Sequence, residues 1–345
     1  MTTELQETSP DGLTLIRDEM RRQHGDALAG YDAAGDIAIR IAASIQQGNR
    51  LLLIGMGGSH WVNRAVEPLY RSLGVDASAI MASEWLEQGL PDAARTAILT
   101  SQSGASGEIV ALLQKPVALE RRFGLTLESD SPLGRALPSL IGAGGTERAF
   151  AATRSLLISL ALHGAVLAKL GLDMTAALDL LHRPLAADVT KAVAATARFP
   201  AFIFSGKGTL QGIAEAGALS LMELARVPAL ALEAGQFRHG PLEILGPDIG
   251  VILLRGAGSL GDAAPGLAET VVSAGGQPVI FDASGAAAVP GAITIAFPKL
   301  DGLAAIFALL PSLQLLLVEI AIRKVDRVGE PLRSTKITGL ATEPA

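Results

Sequence analysis

The sequence predicts an α/β protein made of two similar domains in tandem, each with a parallel sheet covered by helices. Three observations point there. Short apolar runs alternate with helical patterns, the chain repeats one motif in its two halves, and its apolar content can fill two cores. In the first half the runs are 51–55, 97–100 and 123–127; in the second they are 201–204, 251–254, 279–281 and 293–297. Each has strand length, whereas 107–113 and 303–323 carry the longer pattern of helices. The run 51–55 ends in Gly55-Met56-Gly57-Gly58-Ser59, and the run 201–204 leads into Ser205-Gly206-Lys207-Gly208-Thr209. Aligning Gly55 with Gly206 gives an offset of 151 residues. In both places a β-type run meets a Gly-x-Gly turn and a helix follows.

Bulk composition bounds the rest. A length of 345 residues suits two ordinary domains or one large one. With 49% apolar and 18% charged residues, the chain is not of the disordered class. Aromatics make up 4%, so the cores must be built from Ala, Leu, Ile and Val. The 38 glycines and 18 prolines imply many tight loops. A net charge of −6 lacks the basic footprint of a nucleic-acid binder. An anionic ligand must therefore be met locally, by backbone N–H groups and helix ends. The absence of cysteine excludes disulfides, thiolate metal sites and cysteine nucleophiles. No His or carboxylate spacing matches a metal-ligand pattern, so neither a metal nor another cofactor is expected.

The N-terminal stretch is acidic and polar and does not read as a signal peptide. The two most apolar stretches, 155–172 and 303–322, carry His163, Lys169, Pro311, Gln314 and Glu319. A bilayer tolerates such residues poorly, so both read as core or interface helices of a cytoplasmic protein with no membrane partner. The expected organisation is a helical lead-in at 1–34, a first domain at 35–181 and a second at 186–325. A C-terminal tail at 326–345 carries Lys336. Residues 182–191 form the expected hinge, with Pro184 breaking the preceding helix.

Ligands of open parallel sheets bind at the carboxyl ends of the strands, and three loops fall there. The first, Gly55-Met56-Gly57-Gly58-Ser59-His60, is not a dinucleotide fingerprint, because His60 stands where the third glycine belongs. Alone it reads equally as a tight strand-to-helix turn. The second, Thr100-Ser101-Gln102-Ser103-Gly104-Ala105-Ser106, gathers three hydroxyls, an amide and a glycine turn at the start of a helix. Helix starts offer unpaired N–H groups and partial positive charge, which suit a phosphate. Ordinary capping needs one serine, not three. The third, Gly206-Lys207-Gly208-Thr209, has no serine cluster near it; the region matching that cluster reads Leu254-Arg255-Gly256-Ala257-Gly258-Ser259. One phosphate site per chain is expected, in the first half.

Two residues stand out for proton transfer. Glu223 lies on the Ala- and Leu-rich helical stretch 217–224, either solvated or held in a pocket. Sixteen residues later His239 sits in Gly235-Gln236-Phe237-Arg238-His239-Gly240-Pro241-Leu242, flanked by Gly and Pro on a shaped loop. Histidine is the side chain best placed to exchange protons near neutral pH. His24, His163 and His182 read as structural, and His60, bordering the glycine loop, fits either role. Lys336, near the C-terminus, reads on its own as a solvated lysine.

Together these residues resemble the sugar isomerase (SIS) domain. The Ser-Gln-Ser-Gly-x-Ser loop after a strand, with the earlier Gly-x-Gly-x-Ser turn, is similar to that domain's signature. Two copies in tandem resemble the isomerase half of glucosamine-6-phosphate synthase (glutamine–fructose-6-phosphate aminotransferase) and the SIS-type glucosamine-6-phosphate deaminases. Ala82-Ser83-Glu84, Gly145-Thr146-Glu147 followed by Thr153, and Arg238-His239-Gly240-Pro241-Leu242 resemble further motifs of that half. The resemblance covers roughly residues 14–338.

It implies a flavodoxin-like parallel sheet in each domain. It also implies a phosphosugar isomerase or deaminase acting on an amino- or keto-hexose 6-phosphate. Ser101, Gln102, Ser103 and Ser106 would hold the phosphate, and Gly57, Gly58 and Ser59 would lie against the sugar. Glu223 would shuttle a proton between C1 and C2. His239 would open the sugar ring from across a homodimer interface, and Lys336 would lie against the open-chain sugar.

The sequence departs from the family at Ser220, Ala216 and Ala152, where the family carries a lysine, a carboxylate and a serine. These changes leave the particular sugar open. The resemblance includes no glutaminase half, so glutamine-dependent synthesis is not expected. Deglycation of a phosphorylated fructosyl-amino acid is an alternative reaction, and non-catalytic sensing of a sugar phosphate is an alternative of another class.

Overall fold

The computed structural model describes residues 11–91 and 93–340; the expectations for 1–10 and 341–345 lie outside the described residues. The chain enters through helix α1 (Gly12–Ala33). Its first turn is capped by Asp11, whose carboxylate accepts a hydrogen bond from Thr14 N at 2.7 Å. Ile16, Glu19, Gln23, Ala27 and Gly30 recur at helical spacing along its buried face. Helix α2 (Gly35–Gly48) follows and ends at Asn49, which adopts the left-handed conformation with φ 49°.

The first sheet is then laid down by β1 (Arg50–Gly55), α3 (Gly57–Ser72), β2 (Asp76–Met81), α4 (Ala82–Gln88) and β3 (Arg95–Thr100). It continues with α5 (Gly107–Gln114), β4 (Glu120–Thr126), α6 (Pro132–Ala136) and β5 (Ser139–Ile141). Three helices connect the halves: α7 (Arg154–Lys169), α8 (Thr175–His182) and α9 (Thr190–Thr196). The second sheet comprises β6 (Ala201–Gly206), α10 (Thr209–Ala225), β7 (Ala229–Glu233), α11 (Ala234–Phe237) and β8 (Ile249–Arg255). It is completed by α12 (Ala264–Ser273), β9 (Val279–Asp282) and β10 (Ile293–Ala296), and α13 (Gly302–Ile322) follows.

Both sheets have five parallel strands. Their orders are β2-β1-β3-β4-β5 and β10-β9-β8-β6-β7. Numbered within its own half, each sheet reads 2-1-3-4-5, the flavodoxin-like order. The fold is thus two tandem α/β domains of one topology, as the repeated glycine turn implied. Central strands are nearly continuous apolar runs because helices cover both faces; β1 and β3 are buried along almost their whole length.

The seam between the halves is made by α3 against α10. A Cβ placed at Gly212 would stand 2.4 Å from Ala65 N and 2.5 Å from Trp61 O, so only glycine lets these helices approach so closely. Helix α13 is apolar and long enough to cross a membrane, but 78% of its most apolar window is buried inside the fold, so it serves as a core helix. Helix α7 is likewise buried over nearly its whole length.

Candidate active site

The loops after β1 and β3 open side by side at the carboxyl ends of paired strands, since Gly55 lies opposite Thr100. Between them and the second half is a cleft of about 280 Å³. Nine of the ten residues singled out from the sequence line it: Gly57, Gly58, Ser59, Ser101, Gln102, Ser103, Ser106, Glu223 and Lys336. His239 does not line it. That residue is exposed in the turn that follows α11.

The serine loop is shaped by Gly104, which has φ +62°. A Cβ there would lie 2.0 Å from Ser131 Oγ, so both the conformation and the space require glycine. The loop backbone is tied to its neighbours. Ser101 N donates to Leu125 O at 3.0 Å, Leu127 N donates to Gln102 O at 3.0 Å, and Leu133 N donates to Gly104 O at 3.0 Å. The hydroxyls of Ser101 and Ser106 meet at 3.1 Å, and Ser103 Oγ accepts from Ala105 N at 3.2 Å. Ser106 occupies the cap position of α5 without its side chain capping the helix. Gln102 Nε2 is buried and has no partner within the protein. These hydroxyls and this amide face one small volume at a helix start, the arrangement that suits an anion.

Opposite the loop, Glu223 stands in the last turns of α10. Burial pushes its carboxyl up to about 7, Lys336 opposes that rise, and Glu147 adds to it. Lys336 comes from the C-terminal tail. The tail is held across the start of α5, where Gly107 N donates to Thr338 O at 3.0 Å. Lys336 Nζ donates to Glu147 Oε2 at 3.2 Å and to Phe150 O at 3.3 Å.

Glu147, of the Gly145-Thr146-Glu147 segment, is a functional residue that the sequence alone does not single out. It is fully buried. Oε1 accepts from Thr153 N at 2.8 Å, Thr153 Oγ1 at 3.2 Å and Ser155 N at 3.2 Å. Oε2 accepts from Ser155 Oγ at 2.5 Å. Burial works to raise its pKa, but Lys336 and these hydrogen bonds outweigh that and hold it below the usual carboxylate value.

His60, which the sequence left open, is buried in the wall behind the glycine turn and does not line the cleft. Burial first, and Arg64 second, depress its pKa to about 4, so it stays neutral. Among the described residues no cluster of His, Cys, Asp or Glu could hold a metal ion.

The second half carries a counterpart to this cleft that is nearly filled, with about 10 Å³ left at Ser205, Gly206, Lys207 and Leu260. Strand register explains the difference. Ser205 pairs with Leu253 as Ile54 pairs with Leu99, so Arg255 stands where Ser101 stands in the first half. Arg255 donates to Asp282 Oδ2 at 2.9 Å and to Ala287 O at 3.1 Å, placing an internal ion pair at the position of the serine loop.

The fold and the site together resemble those of tandem sugar isomerase domains. No family model matches the chain. It is 27% identical over 310 residues to a glutamine–fructose-6-phosphate aminotransferase (isomerizing) of Gluconobacter oxydans, an alignment covering 82% of this chain and 49% of that protein. The chain spans about half the length of the curated relatives it matches.

Among solved structures it is similar to the C-terminal domain of glucosamine-fructose-6-phosphate aminotransferase from Francisella tularensis. The TM-score is 0.77 at 19% identity, covering 94% of this chain and 98% of that one. It is also similar to tagatose-6-phosphate ketose/aldose isomerase from Escherichia coli, with a TM-score of 0.79 at 18% identity and coverage of 98% and 99%. The chain is similar in sequence to part of the aminotransferase and shares the tandem architecture of these structures.

Proposed function

We propose that the chain is a sugar-phosphate aldose–ketose isomerase or deaminase, acting on an amino- or keto-hexose 6-phosphate. One observation carries this reading: a carboxyl raised to about 7 shares one cleft with a serine-lined anion cradle and an ammonium group. Proton abstraction next to a carbonyl or imine needs a base near the carbon and positive charge near the oxygen. Glu223 is the base. A carboxyl with a pKa near neutrality both takes a proton and returns it, as transfer between C1 and C2 requires. Lys336 supplies the positive charge. Ser101, Gln102, Ser103 and Ser106 hold the phosphate at the other end of the cleft and fix the sugar's reacting carbons against Glu223. Gly57 and Gly58 keep the first turn low, and Ser59 offers a hydroxyl to the sugar.

His239 is exposed on its own chain. In this reading it serves the cleft of a second copy in a cytoplasmic homodimer and there assists ring opening.

The test is incubation with a panel of glucosamine 6-phosphate, fructose 6-phosphate, tagatose 6-phosphate and a fructosyl-amino acid 6-phosphate in D₂O. Ammonia release, aldose–ketose interconversion and deuterium at C1 or C2 are read by NMR and mass analysis. Conversion of at least one sugar with deuterium incorporation is expected. Binding of the panel without any conversion or exchange would leave a sensor and remove the enzyme.

A further inference from the structure

Below the cleft lies a buried polar chain that links the lead-in helix to the tail. Arg154, the first residue of α7, is fully buried. It donates to Glu19 Oε2 at 2.5 Å and Asp26 Oδ2 at 3.0 Å on α1, and to Gly145 O at 2.7 Å and Ala143 O at 3.1 Å. Glu19 Oε1 in turn accepts from Arg148 N at 2.7 Å. The segment 143–153 is thereby clamped from both sides, and Glu147 sits in its middle.

A buried carboxylate that only closes a turn needs nothing beyond the turn's own donors. Glu147 has those already, from Thr153 and Ser155. Yet it also reaches Lys336, 189 residues away on a tail otherwise mostly exposed. The lysine side chain is 26% exposed, whereas the carboxylate is 0% exposed, so the anion is the fixed member of the pair. With Phe150 O as its second acceptor, the ammonium has two of its three N–H bonds committed to the floor. The third is left for the cleft that Lys336 lines together with Glu223.

We infer that Glu147 is a positioning residue of the reaction. It seats Lys336 Nζ at the cleft floor, within electrostatic range of Glu223, and the clamp from α1 through Arg154 keeps it there. The inference rests on the isomerase or deaminase reading for its kinetic consequence, but not for its electrostatic one. The charged groups facing Glu223 are Lys336 from the tail and Glu147 from the segment before α7, and Glu108 of α5 also lines the cleft.

Removing the Glu147 charge deletes the nearby negative charge that raises Glu223 and so lowers the proton affinity of Glu223. Two readouts on Glu147→Gln test this. The first is ¹³C-carboxyl NMR of glutamate-labelled protein without substrate, with the Glu223 resonance assigned by its loss in Glu223→Gln. The titration midpoint of Glu223 is expected to fall from about 7 by at least roughly half a pH unit. The second is steady-state kinetics on whichever sugar phosphate the wild type converts: kcat is expected to fall roughly 10- to 100-fold with KM within about threefold.

An unmoved Glu223 midpoint, or wild-type kcat, would overturn the positioning role. If the wild type converts no sugar phosphate, the functional reading falls, and the NMR titration still decides whether Glu147 sets the Glu223–Lys336 electrostatics. Should Glu147→Gln not fold, Glu147→Asp keeps the charge but shortens its reach. A fall in kcat with KM retained then supports the role, and wild-type kcat refutes it.

Discussion

Replacing Glu223 by Gln should make the protein more stable and inactive at once, with a pH dependence that separates this from any generic mutational effect. The folded state holds the Glu223 carboxyl at about 7 against an ordinary value of 4.5, chiefly through burial. At 1.36 kcal/mol per pH unit, keeping that group ionised above pH 7 costs the fold about 3 kcal/mol. The sign follows from the direction of the shift. Below pH 4.5 the carboxyl is protonated both folded and unfolded, and the cost is absent. Between 4.5 and about 7 the unfolded chain ionises freely while the folded one resists, and the cost accumulates. Above 7 it is fully present.

A glutamine is neutral throughout, so the variant gains about 3 kcal/mol at pH 8.5 but under about 1 kcal/mol at pH 5. With an unfolding entropy of roughly 2.1 cal/mol/K per residue, the gain at pH 8.5 is about 4 °C in Tm. Scanning calorimetry of both proteins at the two pH values reads it directly. Turnover should fall by about 10²–10⁴-fold, the usual worth of positioned acid–base help, while the phosphate cradle keeps substrate affinity near wild type. In the wild type, kcat/KM should rise with pH through about 7 as the base deprotonates. A Tm difference that is the same at pH 5 and 8.5 would refute the buried, raised carboxyl, whatever happened to the rate.

Two further predictions concern the cradle and the assembly. Gly104→Ala forces a side chain into a left-handed turn, at about 1–2 kcal/mol, and against Ser131 Oγ at 2.0 Å. The serine loop should shift, raising KM for the sugar phosphate at least about tenfold and weakening competition by inorganic phosphate, with kcat far less affected; an unchanged KM would place the anion elsewhere. His239→Ala and Glu223→Gln should each be inactive alone but regain roughly a quarter of wild-type activity when unfolded and refolded as an equal mixture. Half of the random dimers are then mixed, and each has one site with both residues intact. No recovery would mean that His239 does not serve a neighbouring copy's cleft.

What the sequence disclosed follows from where each signal is stored. Central strands bury both faces and so write themselves as short apolar runs, and β1, β3, β4, β6, β8 and β9 were legible for that reason. Edge strands are half covered. In β2 only Ala77 is buried and in β7 only Ala229, so Asp76–Met81 forms no run and the short Ala229–Leu232 run did not stand out, although edge strand β10 did show as the run 293–297; β5 is three residues long. The serine loop was legible because its parts are contiguous and sit at a strand end.

The floor of the cleft was not legible, because its parts are scattered. Lys336 read on its own as a solvated tail lysine and was singled out only through the family resemblance; what holds it at the cleft is a buried carboxylate 189 residues earlier. That carboxylate is placed by Arg154, whose partners Glu19 and Asp26 lie 135 and 128 residues before it. Long-range ion pairs of this kind leave no local period or spacing for a sequence to display.

The two halves carry the same topology, yet only the first leaves room for a ligand. A repeated fold must put a loop at the end of its third strand twice, but it does not fix what the loop contains. In the first half, small hydroxyl residues and Gly104 leave the position open. In the second, Arg255 brings its own anion, Asp282, and Leu260 closes over the turn. The filled counterpart has a structural use, since the ion pair there adds a side-chain tie between β8 and β9 to the backbone bond from Ala283 N to Arg255 O. The first half's loop is tied to its neighbours through its backbone, and its serine hydroxyls bond only within the loop, facing the cleft. That economy, more than the presence of serines as such, separates the open site from its closed copy.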